Sequence, residues 1–217
     1  CTTDIKEAVE GSDMILHVTP SKFTRETVKK YKMYVKDQPI IICSKGFEAS
    51  TLYTLNEVVQ DELPNAKIGV LTGPSHAEEV SFCAGIIAEL DMGDNTFAAL
   101  ITRGLTEISR LGIAMGGNHN TFYGLSGLGD LIVTCLSEHS RNRKAGRCIG
   151  RGLTIDETKK EVGMTIESID NIEVAHKLAE KYNIDMPIVN TVYDVLYNGL
   201  KPKEAVTMLM TREKKCE

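Results

Sequence analysis

The sequence lacks several features that would assign it to a special class of protein. No apolar run approaches the ~20 residues needed to cross a bilayer, and no signal-peptide pattern is present. An excess of positive charge is also missing, because 25 Lys and Arg face 30 Asp and Glu, which gives a net charge of −5. This balance argues against a general binder of nucleic acid or of anionic membranes. No internal repeat or linker-like stretch occurs.

The six cysteines are scattered and form no CxxC pair. In a chain of 217 residues this usage predicts reduced thiols and a cytoplasmic protein. Cys135, His139 and Cys148 fit no closed four-ligand zinc spacing, so we predict no metal site. The composition, 42% hydrophobic and 25% charged, is that of a globular protein and excludes a disordered chain.

The first part of the chain alternates short apolar runs with helical patterns. The predicted strands are 14–19, 40–43 and 67–71, and the predicted helices between them are 20–35 and 51–62. This β-α-β-α-β order, with nearly continuous apolar strands, is typical of a parallel sheet covered by helices on both faces.

The second part has a helical period of 3.6 residues. The predicted helices are 95–115, 129–136, 167–182, 187–197 and 202–211. Gly116 and Gly117 end the first of these, and Thr154 with Glu157 forms a capping box. We therefore predict an α/β domain over 1–82 and an all-α domain over 83–217.

Two clusters follow predicted strands, at the sheet edge where open parallel sheets bind ligands. Cys43–Gly46 places Lys45 there, where it could reach a phosphate or an oxyanion or could simply be solvated. Leu71–Glu79 combines Gly73, which admits a ligand close to the backbone, with a helix start that favours anions. Ser75 could equally be an ordinary N-cap, and His76 is more typical of the surface.

Two further clusters lie in the helical part. Gly124–Asp130 contains three glycines that indicate close backbone contact, and Asp130 either accepts a substrate hydroxyl or caps the next helix. The segment 137–151 crowds Arg141, four more basic residues and Asn142 into an acidic protein. Guanidinium groups bind phosphate bidentately, so the segment indicates a small phosphorylated ligand, with a solvated basic face as the alternative. Nucleic acid is disfavoured because no aromatics are interleaved.

In this order and spacing, the motifs resemble bacterial-type NAD(P)-dependent glycerol-3-phosphate dehydrogenase along almost the whole chain. The matching segments are Val18–Ser21, Ser44–Gly46, Gly73–Ala77, Gly93–Thr96, Ile101–Gly104, Gly124–Asp130 and Ser140–Asn142. The resemblance implies a Rossmann-type parallel sheet followed by an all-helical substrate domain. It also implies reduction of dihydroxyacetone phosphate to sn-glycerol 3-phosphate for phospholipid synthesis, with NAD or NADP as cofactor, and suggests a homodimer.

The resemblance further implies a role for individual residues. Lys45 would lie between nicotinamide and substrate. The other substrate contacts would be Gly73, Ser75, Asp130, Ser140, Arg141 and Asn142. The other cofactor contacts would be Ala77, Arg141, Thr165 and Glu167. Positions 165 and 168 depart from the family's usual Val and Gly, which weakens the cofactor assignment more at Thr165 than at Glu167.

Two family elements have no counterpart in this sequence. One is the initial strand with its Gly-x-Gly-x-x-Gly turn, which makes the sheet incomplete. The other is an internal segment with the catalytic acid/base lysine, which would fall near Phe82–Cys83, so no catalytic residue is assigned here. We expect either residues hidden at that join or a shortened protein. The competing functions are a fragment that only binds a phosphorylated ligand or dimerises, and a different dehydrogenase, which Ser140–Asn142 argues against.

Overall fold

The computed structural model describes residues 1–71 and 77–212. Contacts between Cα atoms divide the chain into two units, Cys1–Gly73 and Pro74–Glu217. The division falls before the predicted boundary at 82–83, which stays a prediction. No helix among the described residues is long and apolar enough to span a membrane.

The first unit is built on a three-stranded parallel sheet in the order β1-β2-β5. Its elements are α1 (Ile5–Val9), β1 (Ile15–His17), α2 (Thr24–Tyr31), β2 (Ile40–Ile42), β3 (Phe47–Glu48), β4 (Tyr53–Thr54), α3 (Leu55–Glu62) and β5 (Ile68–Val70). Short 3-10 turns at 21–23 and 32–34 flank α2. The three predicted strands and their parallel pairing are confirmed.

The helices of this unit cover one face of the sheet. Ile40 and Ile42 of β2 are buried there in one core with residues of all three helices. The side chain of Leu16, between Ile15 and His17 on β1, points to the opposite face and is 60% exposed. The prediction of helices on both faces is therefore wrong for the described residues, because the apolar strand sequence does not show which face is covered.

Helix α3 begins four residues later than the predicted start at Thr51. Thr54 is its N-cap, and the Glu57 carboxylate accepts a hydrogen bond from the Thr54 backbone N–H at 2.7 Å. This capping box ends the preceding strand and starts the helix at Leu55. Tyr53 and Thr54 instead pair with β3 as a short antiparallel hairpin.

The second unit is helical. Its helices are α4 (Ala77–Glu89), α5 (Asp94–Ala114), α6 (His119–Phe122), α7 (Asp130–Leu136), α8 (Arg141–Gly150), α9 (Ile155–Val162), α10 (Glu167–Tyr182), α11 (Pro187–Tyr197) and α12 (Pro202–Thr211). A π-helical turn at Leu125–Gly129 leads directly into α7. The predicted bounds of α10, α11 and α12 are confirmed to the residue, and the predicted capping box of α9 is present.

Helix α4 is the central element of this unit, since its residues from Ala77 to Ile87 are all buried. It crosses α8 at backbone contact. A Cβ atom on Gly146 would lie 1.9 Å from the carbonyl oxygen of Phe82, and one on Gly85 would lie 2.0 Å from that of Arg143. Only glycine allows this approach. The helix passes through Phe82 and Cys83 without interruption, so no hidden gap exists at this join.

Candidate active site

The carboxyl edge of the sheet holds the first candidate cluster. The backbone N–H of Cys43 donates to the carbonyl of His17 at 2.9 Å, and the Ser44 hydroxyl donates to the same oxygen at 3.4 Å. These bonds extend the β1–β2 pairing by one step. Gly46 then turns the chain with φ at 102°, a conformation that favours glycine. Lys45, between them, is exposed at the strand end, as the sequence predicts.

The same edge exposes apolar side chains next to this lysine. Val18 follows β1 and is 67% exposed, and Leu71 follows β5 and is 68% exposed. Leu71 stays in register with β2, because its N–H donates to the Ile42 carbonyl at 2.9 Å. Exposed aliphatic carbons beside an ammonium group fit a ligand that carries both a planar ring and a phosphate. This part of the edge therefore fits a nucleotide cofactor.

The adjoining segment bears several predicted residues. Gly73 and Ser75 lie outside the described residues. Ala77 is the first residue of α4 and is buried. The structure consequently offers a position for the predicted cofactor contact at Ala77 but describes neither of the two predicted substrate contacts before it.

In the helical unit, a chain of hydroxyl contacts joins α4, α7 and α8. The Ser140 hydroxyl lies 3.0 Å from that of Ser81, which also bonds to the Thr134 carbonyl at 2.9 Å. Ser140 is the N-cap of α8, and its oxygen accepts the N–H of Arg143 at 3.3 Å. Asp130 opens α7 one turn before Thr134 and on the same side. It makes no capping bond, because Gly129 continues the helix.

A second set of contacts joins the starts of α8 and α10. The Asn142 side-chain oxygen is buried and accepts the backbone N–H of Ser168 at 3.0 Å. The Arg141 guanidinium lies 3.6 Å from the Glu167 carboxylate, and both side chains are half-buried. Thr165, two residues earlier, is exposed. The structure thus brings Ser140, Arg141 and Asn142 together with Glu167.

This arrangement is electrostatically suited to an anion. Two helix N-termini, of α8 and α10, meet beside the Arg141 guanidinium. Helix N-termini carry partial positive charge and orphan N–H donors. A compact oxyanion such as a phosphate ester would receive a charged fork from Arg141 together with hydroxyl and amide donors. Glu167 would then act as the carboxylate that positions the guanidinium.

The rest of the basic segment is committed to carboxylates of this unit. Arg143 pairs with Glu138, Arg147 with Glu89 and Glu138, and Arg151 with Glu161. Of the arginines in this segment, Arg141 alone is described at the joined starts of α8 and α10. The clustering of charge in the sequence does not distinguish it from the others.

Sequence reasoning missed Glu79, a buried carboxyl group on α4. One of its oxygens has no hydrogen-bond partner among the described residues. Burial raises its pKa well above the ordinary value, and the nearby charges of Glu78 and Glu167 raise it further. Adjacent acidic residues after a Gly-Pro-Ser motif were a visible signal, but a pair of exposed acids in the first turn of a helix is more common.

Two family models match the chain and together cover nearly all of it. The model described as the NAD-dependent glycerol-3-phosphate dehydrogenase N-terminus matches residues 1–94, and the model of the C-terminus matches residues 68–207. Both cover the clusters described above. Their overlap spans the boundary between the two units.

Curated relatives agree with the family models. The chain is 42% identical to glycerol-3-phosphate dehydrogenase (NAD(P)+) of Agathobacter rectalis, with 100% of this chain and 80% of the relative covered. It is 41% identical to the protein of that name from Fusobacterium nucleatum, with 100% and 81% covered. The first alignment runs over 268 positions, more than the 217 residues of this chain, so the relative has internal residues that this chain lacks.

A solved structure shows the same fold. The crystal structure of glycerol-3-phosphate dehydrogenase from Coxiella burnetii matches with a TM-score of 0.87 and 29% identity, over 97% of this chain and 81% of that one. The matched region includes the parallel sheet and the helical unit. The predicted fold class, a Rossmann-type sheet followed by helices, is confirmed.

Proposed function

Because the chain belongs to the NAD-dependent glycerol-3-phosphate dehydrogenase family, we propose that it reduces dihydroxyacetone phosphate to sn-glycerol 3-phosphate with NADH or NADPH. The chain is accordingly an oxidoreductase whose substrate is a small phosphorylated molecule. The reaction moves a hydride from the reduced nicotinamide to the ketone carbon. The carbonyl oxygen gains the electron pair of the C=O bond and takes up a proton.

The observation that carries this proposal is the meeting of Ser140, Arg141 and Asn142 at the start of α8. The Asn142 amide is held by the Ser168 N–H, and Arg141 is held beside Glu167. These contacts fix the guanidinium before a ligand arrives, which reduces the entropy lost on binding. The phosphate is remote from the reacting carbon, and its binding energy positions the ketone.

The cofactor would be held in part by the carboxyl edge of the sheet. Exposed Val18 and Leu71 would cover a ring, while Lys45 would approach a negatively charged group. When bound, the dinucleotide supplies the hydride. Ala77, Arg141, Thr165 and Glu167 are the remaining cofactor contacts in this proposal, and they rest on the family resemblance.

The substrate contacts that complete the proposal are Lys45, Gly73, Ser75 and Asp130. Asp130, at the start of α7, would accept a hydrogen bond from the substrate hydroxyl. Lys45 would bring positive charge to the oxygen that becomes negative as the hydride arrives. The family's acid/base lysine is not among the residues of this sequence, so no residue is assigned as the proton donor.

The proposal is tested with the purified chain, NADH or NADPH, and dihydroxyacetone phosphate. We expect loss of the reduced-nicotinamide absorbance together with formation of sn-glycerol 3-phosphate. Dihydroxyacetone without its phosphate is the matched control, and it should react far more slowly. Equal rates for both ketones, or no oxidation with either cofactor, would refute the proposal.

The wider role follows from the product. sn-Glycerol 3-phosphate is the backbone on which glycerophospholipids are built, so the enzyme would supply phospholipid synthesis. We propose a cytoplasmic location, which the scattered free thiols support. A homodimer is also proposed, and analytical ultracentrifugation would test it.

The alternative, a fragment that only binds a phosphorylated ligand or dimerises, is not favoured. The curated relatives named above carry the name of the enzyme and align with all of this chain. The absorbance assay separates the two functions, because a binding module would retain dihydroxyacetone phosphate without oxidising the cofactor.

A further inference from the structure

The helical unit contains a second cleft, formed by α4, α5, α11 and α12 and separate from the residues assigned above. Its volume is about 70 Å³. The walls are mainly aliphatic, with contributions from each of the four helices. Representative wall residues are Ile86, Leu100, Val192, Val195, Val206 and Leu209.

A polar stripe of α5 forms one side of this cleft. Arg103, Glu107 and Arg110 line it, and their spacing of three and four residues places them on one face of the helix. The Glu107 carboxylate is fully engaged, since it accepts the backbone N–H of Ile188 at 2.8 Å and caps the start of α11. Arg103 is also engaged, because it donates to the Leu209 carbonyl at 2.6 Å.

Arg110 differs from the other charged residues of the cleft. Its side chain is half-buried, and no hydrogen bond or ion pair joins it to any described residue. Arg212, on the same cleft, is paired with Asp185 at 3.0 Å. A guanidinium partly removed from water and lacking an acceptor costs free energy that an anion would recover. The cleft thus offers one unmatched positive charge against an aliphatic wall.

We propose that this cleft binds a short aliphatic carboxylate, with its alkyl chain between α5, α11 and α12 and its carboxylate on Arg110. Guanidinium matches carboxylate bidentately, which favours this head group. The aliphatic lining disfavours a sugar or a second polar group. At about 10–15 Å³ for each water-sized position, the volume holds a chain of about five to seven atoms.

Calorimetry and saturation-transfer NMR with sodium hexanoate test the proposal on the whole chain. We expect saturable binding that weakens at least ~10-fold in Arg110→Met. Lys203→Met removes the same charge from an exposed site on α12 and should leave binding unchanged. Arg141→Ala should also leave it unchanged, which separates this cleft from the phosphate-binding residues of the proposed function.

The uncharged analogue 1-hexanol provides a test that needs no variant. It should bind at least ~10-fold more weakly than hexanoate to the unaltered chain, because it cannot pair with the guanidinium. Equal binding of the two compounds, no saturable binding of hexanoate, or a loss of binding in Arg141→Ala would each overturn the proposal. Circular dichroism of Arg110→Met checks its fold, and if that variant fails to fold, the hexanol comparison decides.

Discussion

At the scale of the residue, Arg141 is distinguished from its basic neighbours by its surroundings. Other arginines of its segment, Arg143, Arg147 and Arg151, form ion pairs with Glu138, Glu89 or Glu161. Arg141 lies instead at the joined N-termini of α8 and α10, beside Glu167. Its chemistry therefore depends on the neighbouring helix starts rather than on the density of charge along the sequence.

Replacement of Arg141 by alanine is expected to raise the KM for dihydroxyacetone phosphate by about 10- to 100-fold, because a charged fork to the phosphate is lost. Steady-state kinetics with varied substrate measure this change. Arg151→Ala is the matched control, since its guanidinium is already paired with Glu161, and its KM should stay near that of the unaltered chain. An equal rise in both variants would show a general effect of charge.

Glu79 provides a test by pH. Its folded-state pKa is raised by burial and by Glu78, so above the unfolded pKa of ~4.5 the unfolded chain ionises while the folded chain keeps its proton. Stability is therefore full in acid and falls as pH rises toward the folded pKa, by about 1 kcal/mol per pH unit at most. In Glu79→Gln this loss should disappear.

Thermal unfolding at pH 5 and pH 8 measures the effect. The difference in Tm between Glu79→Gln and the unaltered chain should grow in favour of the variant as the pH rises. Comparison with the variant is needed because burial lowers the pKa of His17, which costs stability below pH ~6.5 in both proteins. A difference in Tm that is the same at both pH values would contradict the account of Glu79.

At the scale of the element, the crossing of α4 and α8 positions the candidate site. The two helices meet at Gly85 and Gly146 with backbone against backbone. This close approach brings Ser81 of α4 within hydrogen-bond distance of Ser140 at the start of α8. The phosphate-binding end of α8 is thus held by the most buried helix of the unit.

Gly146→Ala is expected to destabilise the fold by more than about 2 kcal/mol, because its Cβ would fall 1.9 Å from the Phe82 carbonyl oxygen. Chemical denaturation measures the change. Gly129→Ala is the matched control within a helical turn, where the nearest atom to the new Cβ is 3.7 Å away, and it should change stability by less than about 1 kcal/mol. Similar losses in both variants would argue against the close crossing.

At the scale of the whole molecule, the two units have cores of different character. The first has a small core beneath one face of its sheet, with Leu16 exposed on the other face. The second surrounds a helix whose residues from Ala77 to Ile87 are all buried. Local stability should follow this difference, because protection depends on buried contacts and on the exclusion of water.

Hydrogen exchange followed by mass spectrometry tests this expectation. Amides of α4 should exchange most slowly, and those of β1 at the sheet edge should exchange considerably faster. Exposed loops such as that around Lys45 serve as the fast reference within the same sample. Protection of β1 equal to or greater than that of α4 would contradict the proposed order.

Much of the fold was predictable because it is encoded locally. Alternating strand and helix patterns predicted β1, β2 and β5, and the positions of Pro187 and Pro202 predicted the starts of α11 and α12. A proline at a helix start restricts its own backbone and needs no distant partner. The start of α3 was harder, because the hairpin with β3 competes with helix formation for Tyr53 and Thr54.

The amino-acid sequence by itself determined the family motifs, the parallel sheet, the helix periods and the candidate residues, because these follow from neighbours a few positions apart. Tertiary structure alone decided that Asn142 holds the start of α10, that Glu79 is buried without a full set of partners, and that Arg110 faces an aliphatic cleft. These are properties of contacts between distant segments. Burial and pairing set the energy of a charge, and neither quantity can be read from its place along the chain.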